Sequence, residues 1–135
     1  MNAAFSRAQA AYASDGLATT PTTKLLVLLL QRAMRDLDDA RRALAGGEIE
    51  AAHTALVHAQ DIVHELHLAL DPDGFEGGRT LADLYGYLTE RLVTANATKQ
   101  ASVVEECEQL LAPIASAFTE ASQLARDVRF ASTTA

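Results

Sequence analysis

The chain has 135 residues and a net charge of −7; 46 of its 66 apolar residues are Ala (27) or Leu (19), against 10 Val and Ile together, so one small all-α domain is expected. Seven Gly and three Pro are too few for a turn-rich sandwich or barrel, and an acidic chain has no positive field to gather nucleic-acid phosphates. The longest purely apolar run, residues 25–30, is far below the roughly 20 residues of a membrane span, and residues 1–20 lack a secretory h-region, so a cytoplasmic location without membrane insertion is expected.

Residues 1–19 stand apart as an N-terminal arm. Phe5, Ala8 and Tyr12 have helical spacing on an Ala- and Ser-rich stretch. So short a helix is marginal alone in water, and it is expected to order on an apolar surface.

The bundle proper is expected over residues 20–128. Thr20-Pro21 reads as an N-cap followed by Pro at the first helical position. The stripe Leu26, Leu30, Ala33, Leu37, Ala40, Leu44 keeps alternating 3–4 spacing up to Gly46-Gly47, and Arg32, Arg35, Asp36, Asp39 and Arg42 fall on the opposite face. A second helix follows from about Glu48, with Ile49, Ala52, Leu56, Ala59, Val63, Leu66 and Leu70 as its seam. That regularity suits the shallow crossing of an antiparallel bundle. Asp71-Pro72-Asp73-Gly74 and Gly77-Gly78 break the chain. Thr80 with Asp83 marks a third start, and Leu81, Leu84, Leu88, Leu92 and Ala95 run to an end near Asn96. Ser102 with Glu105 marks a fourth start. Its stripe is Val104, Cys107, Leu111, Ile114, Phe118, Ala121, Ala125, Val128, with Pro113 on the outer face and residues 129–135 as a flexible tail. The fold class is therefore an all-α antiparallel four-helix bundle with a short, partly helical arm.

Catalytic machinery is not visible. His53, His58, His64 and His67 all lie on the second helix. His64 and His67 are three residues apart, whereas a zincin pair needs i,i+4 and a third ligand; no metal and no cofactor are expected. Ala52-His53-Thr54 admits an alternative, a histidine-phosphotransfer bundle with His53 as phospho-acceptor. The Lys and Gly that follow such a histidine are missing from Thr54-Ala55-Leu56-Val57. Cys107 lies on an apolar stripe and reads as a buried, inert thiol; as the single cysteine it makes no internal disulfide.

Leu25, Leu28 and Leu29 are rotated off the core stripe and need a cover. Either a neighbouring helix buries them, or they line an apolar groove for a partner segment or for the arm. Tyr85 flanks the third stripe, and Tyr87 points away from it as a candidate contact residue.

Several fragments in order resemble one family. Tyr12 followed by Pro21-Thr22-Thr23-Lys24-Leu25-Leu26 is similar to its Tyr and T-x-P-x-x-L helix start. Ala59-Gln60-Asp61-Ile62-Val63-His64-Glu65-Leu66 resembles A-x-x-I-I-x-E-L, and Gly77-Gly78 matches its G-G. Leu84-Tyr85-Gly86-Tyr87-Leu88, Arg91-Leu92-Val93 and Ala95-Asn96 follow L-Y-x-Y-[ML]-x-x-R-L-x-x-A-N. The family is that of the flagellin-specific export chaperones, FliS. Phe118 stands where the family usually has Trp, and Lys99-Gln100 where an Asp is common. The resemblance implies a non-enzymatic cytoplasmic chaperone. It would bind the C-terminal segment of flagellin, prevent premature polymerisation and aid delivery to components of the flagellar export gate. It also implies a client groove, here Leu25, Leu28, Leu29, Tyr85, Tyr87 and Asn96, and an arm carrying Phe5 and Tyr12 that caps the groove when no client is bound.

Overall fold

The structure, a computed structural model, describes residues 21–134. The arm with Phe5 and Tyr12, and the expected cap at Thr20, lie outside the described residues. Four helices follow in order: α1 (Pro21–Ala45), α2 (Ile49–Ala69), α3 (Gly78–Thr98) and α4 (Ala101–Thr134). Each helix packs on two neighbours, α1 and α3 each lying between α2 and α4. Successive helices run antiparallel: early His53 of α2 meets late Asn96 of α3, whereas late His67 meets early Tyr85.

The seam alternates large and small residues. Leu30, Ala33, Leu37 and Ala40 of α1 face Ala52, Leu56, Ala59, Val63 and Leu66 of α2, Leu88, Leu92 and Ala95 of α3, and Leu111, Ile114, Phe118 and Ala121 of α4; all are buried. Alanine opposite leucine lets the axes approach while filling the space between them. No buried side-chain nitrogen or oxygen among the described residues lacks a hydrogen-bond partner.

The ends of the helices differ from the expected caps. Gly77, not Thr80, precedes α3, with φ at 87°, a left-handed conformation that glycine adopts without strain. A Cβ on the adjacent Gly78 would collide with the backbone carbonyl of Pro72, so the pair serves the loop that turns into α3. That helix passes Asn96 and ends at Thr98, where Lys99 takes the left-handed position. Helix α4 starts at Ala101, before Ser102; the Gln100 carbonyl accepts from the Val103 and Val104 N–H groups. It also continues to Thr134, beyond the boundary expected at 128.

Three residues depart from their expected faces. Asp36, placed by its charge on the solvent face, is 2% exposed. Its carboxylate accepts from Arg32 Nε at 3.2 Å and from His58 Nδ1 of α2, which compensates for burial of the charge. Ile49 and Val128 fall on the seam stripes by phase, but both are exposed because each lies outside the packed part of its helix.

The seam and the exposed leucines should separate cleanly in urea unfolding. Leu66→Ala should lower the unfolding free energy by about 2–5 kcal/mol. Leu28→Ala, at a site with little packing to lose, should stay within about 0.5 kcal/mol of wild type.

Candidate functional site

Leu25 and Leu28 are 55% and 61% exposed in the first turns of α1. They remain uncovered by the bundle, whereas Leu29 is half-buried and packs against the core. Leu25, Leu29, Arg32 and Asp36 recur at i, i+4, i+7 and i+11, a single line on α1. That line faces α2, because Asp36 meets His58 there. Leu28 points further out.

Further exposed apolar residues gather at the same end of the bundle. Leu68 is in the last turn of α2, and Leu124 and Val128 are near the end of α4; antiparallel packing brings these ends to the start of α1. The reason for the exposure on α4 is length. Arg91 of α3 meets Glu106 of α4. Thirteen residues back from Arg91 is Gly78, where α3 begins, and thirteen on from Glu106 is Thr119. Beyond about Thr119, α4 has no α3 alongside. Sequence periodicity missed Leu68 and Leu124. The available signal was their position just off stripes that end nearby.

The tyrosines divide. Tyr85, expected as a groove residue, is 3% exposed and belongs to the core, where its ring lies 6.0 Å from that of His67. Its phase between α2 and the seam makes it a wall of the bundle rather than a free contact. Tyr87 is 47% exposed, as its phase suggests. Its hydroxyl donates to Glu106 Oε1 at 3.1 Å. Arg91, one turn on, holds the same carboxylate through Nε at 3.1 Å and a second guanidinium nitrogen at 2.9 Å. Tyr87 and Arg91 therefore pin α3 to α4, and the Tyr87 ring is displayed in a fixed orientation.

Charge follows this geometry. The Arg91 guanidinium, helped by the Tyr87 hydroxyl, holds the Glu106 carboxyl below its ordinary value. The bond to Glu106 and its negative charge raise the Tyr87 phenol in turn. Burial pushes the Cys107 thiol up to about 12.

Asn96, the last groove residue expected, is engaged within the protein. Its Oδ1 accepts from His53 Nδ1 at 3.0 Å and from Lys99 Nζ at 2.7 Å. This cluster ties the end of α3 to the start of α2, and it occupies the His53 nitrogen that faces α3. Among the described residues, no three His, Cys, Asp or Glu side chains come together as a metal site, and no helix is long and apolar enough to cross a membrane.

Two outcomes follow. A carboxyl held below its usual 4.5 contributes stability that is present above that value and lost as pH falls through the folded pKa. Replacing Glu106 by Gln should therefore remove part of the acid-induced loss in urea midpoint, while lowering the midpoint at neutral pH. A thiol with a pKa near 12 carries almost no thiolate at neutral pH. Cys107 should resist a disulfide reagent in the native chain and react promptly in denaturant. Fast labelling without denaturant would contradict its burial.

The sequence model of the family described as Flagellar protein FliS matches residues 4–125. The flagellar secretion chaperone FliS of Salmonella typhimurium strain LT2 is 36% identical over 101 residues, covering 73% of this chain and 75% of that protein. The flagellar secretion chaperone FliS of Bacillus subtilis strain 168 is 25% identical over 122 residues, covering 90% and 91%. With a family match over most of its length and a bundle that carries its motifs at structural joints, the chain belongs to the flagellar protein FliS family.

Proposed function

We propose that the protein is a cytoplasmic, non-enzymatic chaperone that binds the C-terminal segment of flagellin. By covering that segment it prevents premature polymerisation, and it presents the subunit to components of the flagellar export gate. Family membership supports the class of activity. The observation that carries the binding mode is the pair of exposed leucines, Leu25 and Leu28, on a bundle whose interior is otherwise closed.

A rigid bundle with an apolar outer strip suits helix-in-groove recognition. A segment that is disordered before binding must be ordered, which typically costs about 2–5 kcal/mol and buries about 1,000–3,000 Å². Completing the burial of a half-exposed leucine contributes about 1 kcal/mol. Leu25 and Leu28 together offset only part of the ordering, so the client must extend over further surface. Tyr87 and the apolar end formed by Leu68, Leu124 and Val128 supply such surface. Tyr85 and Asn96 act indirectly in this reading, by fixing α3 against α2.

The arm, residues 1–19, competes for the same face through Phe5 and Tyr12. If it is docked ten times as often as it is free, client affinity falls about tenfold, near 1.4 kcal/mol.

Co-elution with flagellin should require flagellin's C-terminal segment; co-elution that survives its removal would refute the reading. Leu28→Asp should weaken client binding by more than it changes the unfolding free energy. Deletion of residues 1–15 should tighten binding about tenfold in calorimetry, in line with the competition above. Weaker binding after deletion would make the arm part of the site.

A further inference from the structure

The first fifteen residues of α1, 21–35, contain Lys24, Arg32 and Arg35 and no acid, in a chain of net charge −7. Cations here gain nothing from the helix dipole, which favours acids at a helix start, and α1 has no acid in its first turn. Lys24, Leu28 and Arg35 recur at i, i+4 and i+11, one line along the outer side of α1. Leu25 and Arg32 lie beside it, and all five are exposed. Lys24 and Arg35 have no ion-pair partner among the described residues. Arg32 is held in place from below by the buried Asp36, so its guanidinium is pre-positioned beside the leucines. On α4, Arg126 is eighteen residues, or five turns, beyond Glu108. Glu108 faces α1 through its ion pair with Arg41, so exposed Arg126 continues the basic strip on that side. The exposed acids nearby on α2, Asp61 and Glu65, lie toward the α1–α2 groove, and the outer line of α1 carries no acid before Asp38.

We propose that this face is selective for an amphipathic helix with an acidic edge, its apolar side seated on Leu25 and Leu28 and its carboxylates on Lys24, Arg32 and Arg35. The inference rests on the flagellin reading in one respect, the choice of flagellin's C-terminal region as the chain that supplies this helix. Charge complementarity picks the occupant. The protein's own arm holds one acid, Asp15, and one basic residue, Arg7, in residues 1–20. It matches the leucines but not the cations. The cationic rim thus favours an acidic client over the arm. Rim charges act mainly on encounter rate and partner choice, and salt screens them.

The test titrates the full-length protein with flagellin's C-terminal segment by calorimetry, at low and at high ionic strength. Raising salt from about 0.1 M to about 1 M shortens the Debye length from about 10 Å to about 3 Å, and affinity should fall several-fold. At low salt, Lys24→Glu with Arg35→Glu should weaken binding about tenfold, and the Gln pair should fall between. Both positions are exposed, so unfolding free energies should match wild type. A second probe removes the dependence on flagellin: two Leu-striped helical peptides, identical except for Glu or Lys on the polar edge. Wild type should prefer the Glu peptide, and the Glu pair variant should reverse that preference. Flagellin binding that ignores both salt and charge reversal would overturn the inference and leave the chaperone reading standing. Failure of flagellin to bind at all would sink the chaperone reading, and the peptide pair would then decide the inference alone: equal binding of the two peptides, or none, overturns it. Salt-sensitive self-association through this face, seen by sedimentation, would also overturn it.

Discussion

Close approach of the four helices along a seam of alternating leucine and alanine sets every other feature of the molecule. Ala33, Ala40, Ala52, Ala59, Ala95 and Ala121 are wholly buried, and each leaves room for a leucine, valine or phenylalanine from across the bundle. A larger side chain at any of these positions would overpack the interior, at about 1–3 kcal/mol. Because the seam is narrow and fully used, apolar residues that fall off its phase have nowhere inside to go. Leu25 and Leu28 are left outside for this reason. The unequal helix lengths act in the same way: α4 outlasts α3, and Leu124 and Val128 remain uncovered.

Polar contacts at the edges fix which faces turn outward. Asp36 locks α1 to α2 through His58, Glu106 locks α4 to α3 through Arg91 and Tyr87, and Asn96 joins α3 to α2 through His53. Arg41 with Glu108 closes the remaining edge between α1 and α4. Among the described residues each edge of the bundle thus has at least one polar bridge, and rotation of any helix about its axis would break the bridges on both of its edges. Apart from buried Asp36, these pairs are exposed or half-exposed, and ion pairs of that kind add modest stability. Their effect is to hold the leucine strip and the Tyr87 ring at constant orientation, so that in the proposed function the ordering falls on the client.

The seam was legible in the sequence because 3–4 spacing reports burial directly; Leu30, Leu37, Leu56, Val63, Leu66, Leu88, Leu92, Leu111, Ile114 and Phe118 are all buried as their phase requires. What failed was what depends on a neighbour. Asp36 has the chemistry of a surface residue, and its burial follows from His58 and Arg32, whose approach no local pattern encodes. Tyr85 and Tyr87 share a motif but have opposite fates, because two residues on a helix turn a side chain by about 200°. Asn96, which the resemblance implies as a contact residue, also has its amide oxygen bonded to Lys99 and His53, a tie between helix ends that no local pattern encodes. Gly77 was recognisable as a break, but its left-handed geometry places the helix start earlier than the Thr80 signal did.

Methyl resonances give the most direct test of where the proposed client would sit. In a titration of the methyl-labelled chain with flagellin's C-terminal segment, Leu25 and Leu28 should shift with the binding isotherm, with Leu68 and Leu124 among the further responders. Leu37 and Leu92, at the centre of the seam, should stay in place. Saturable binding that leaves the Leu25 and Leu28 methyls unchanged would contradict the account and move the client to another face of the bundle.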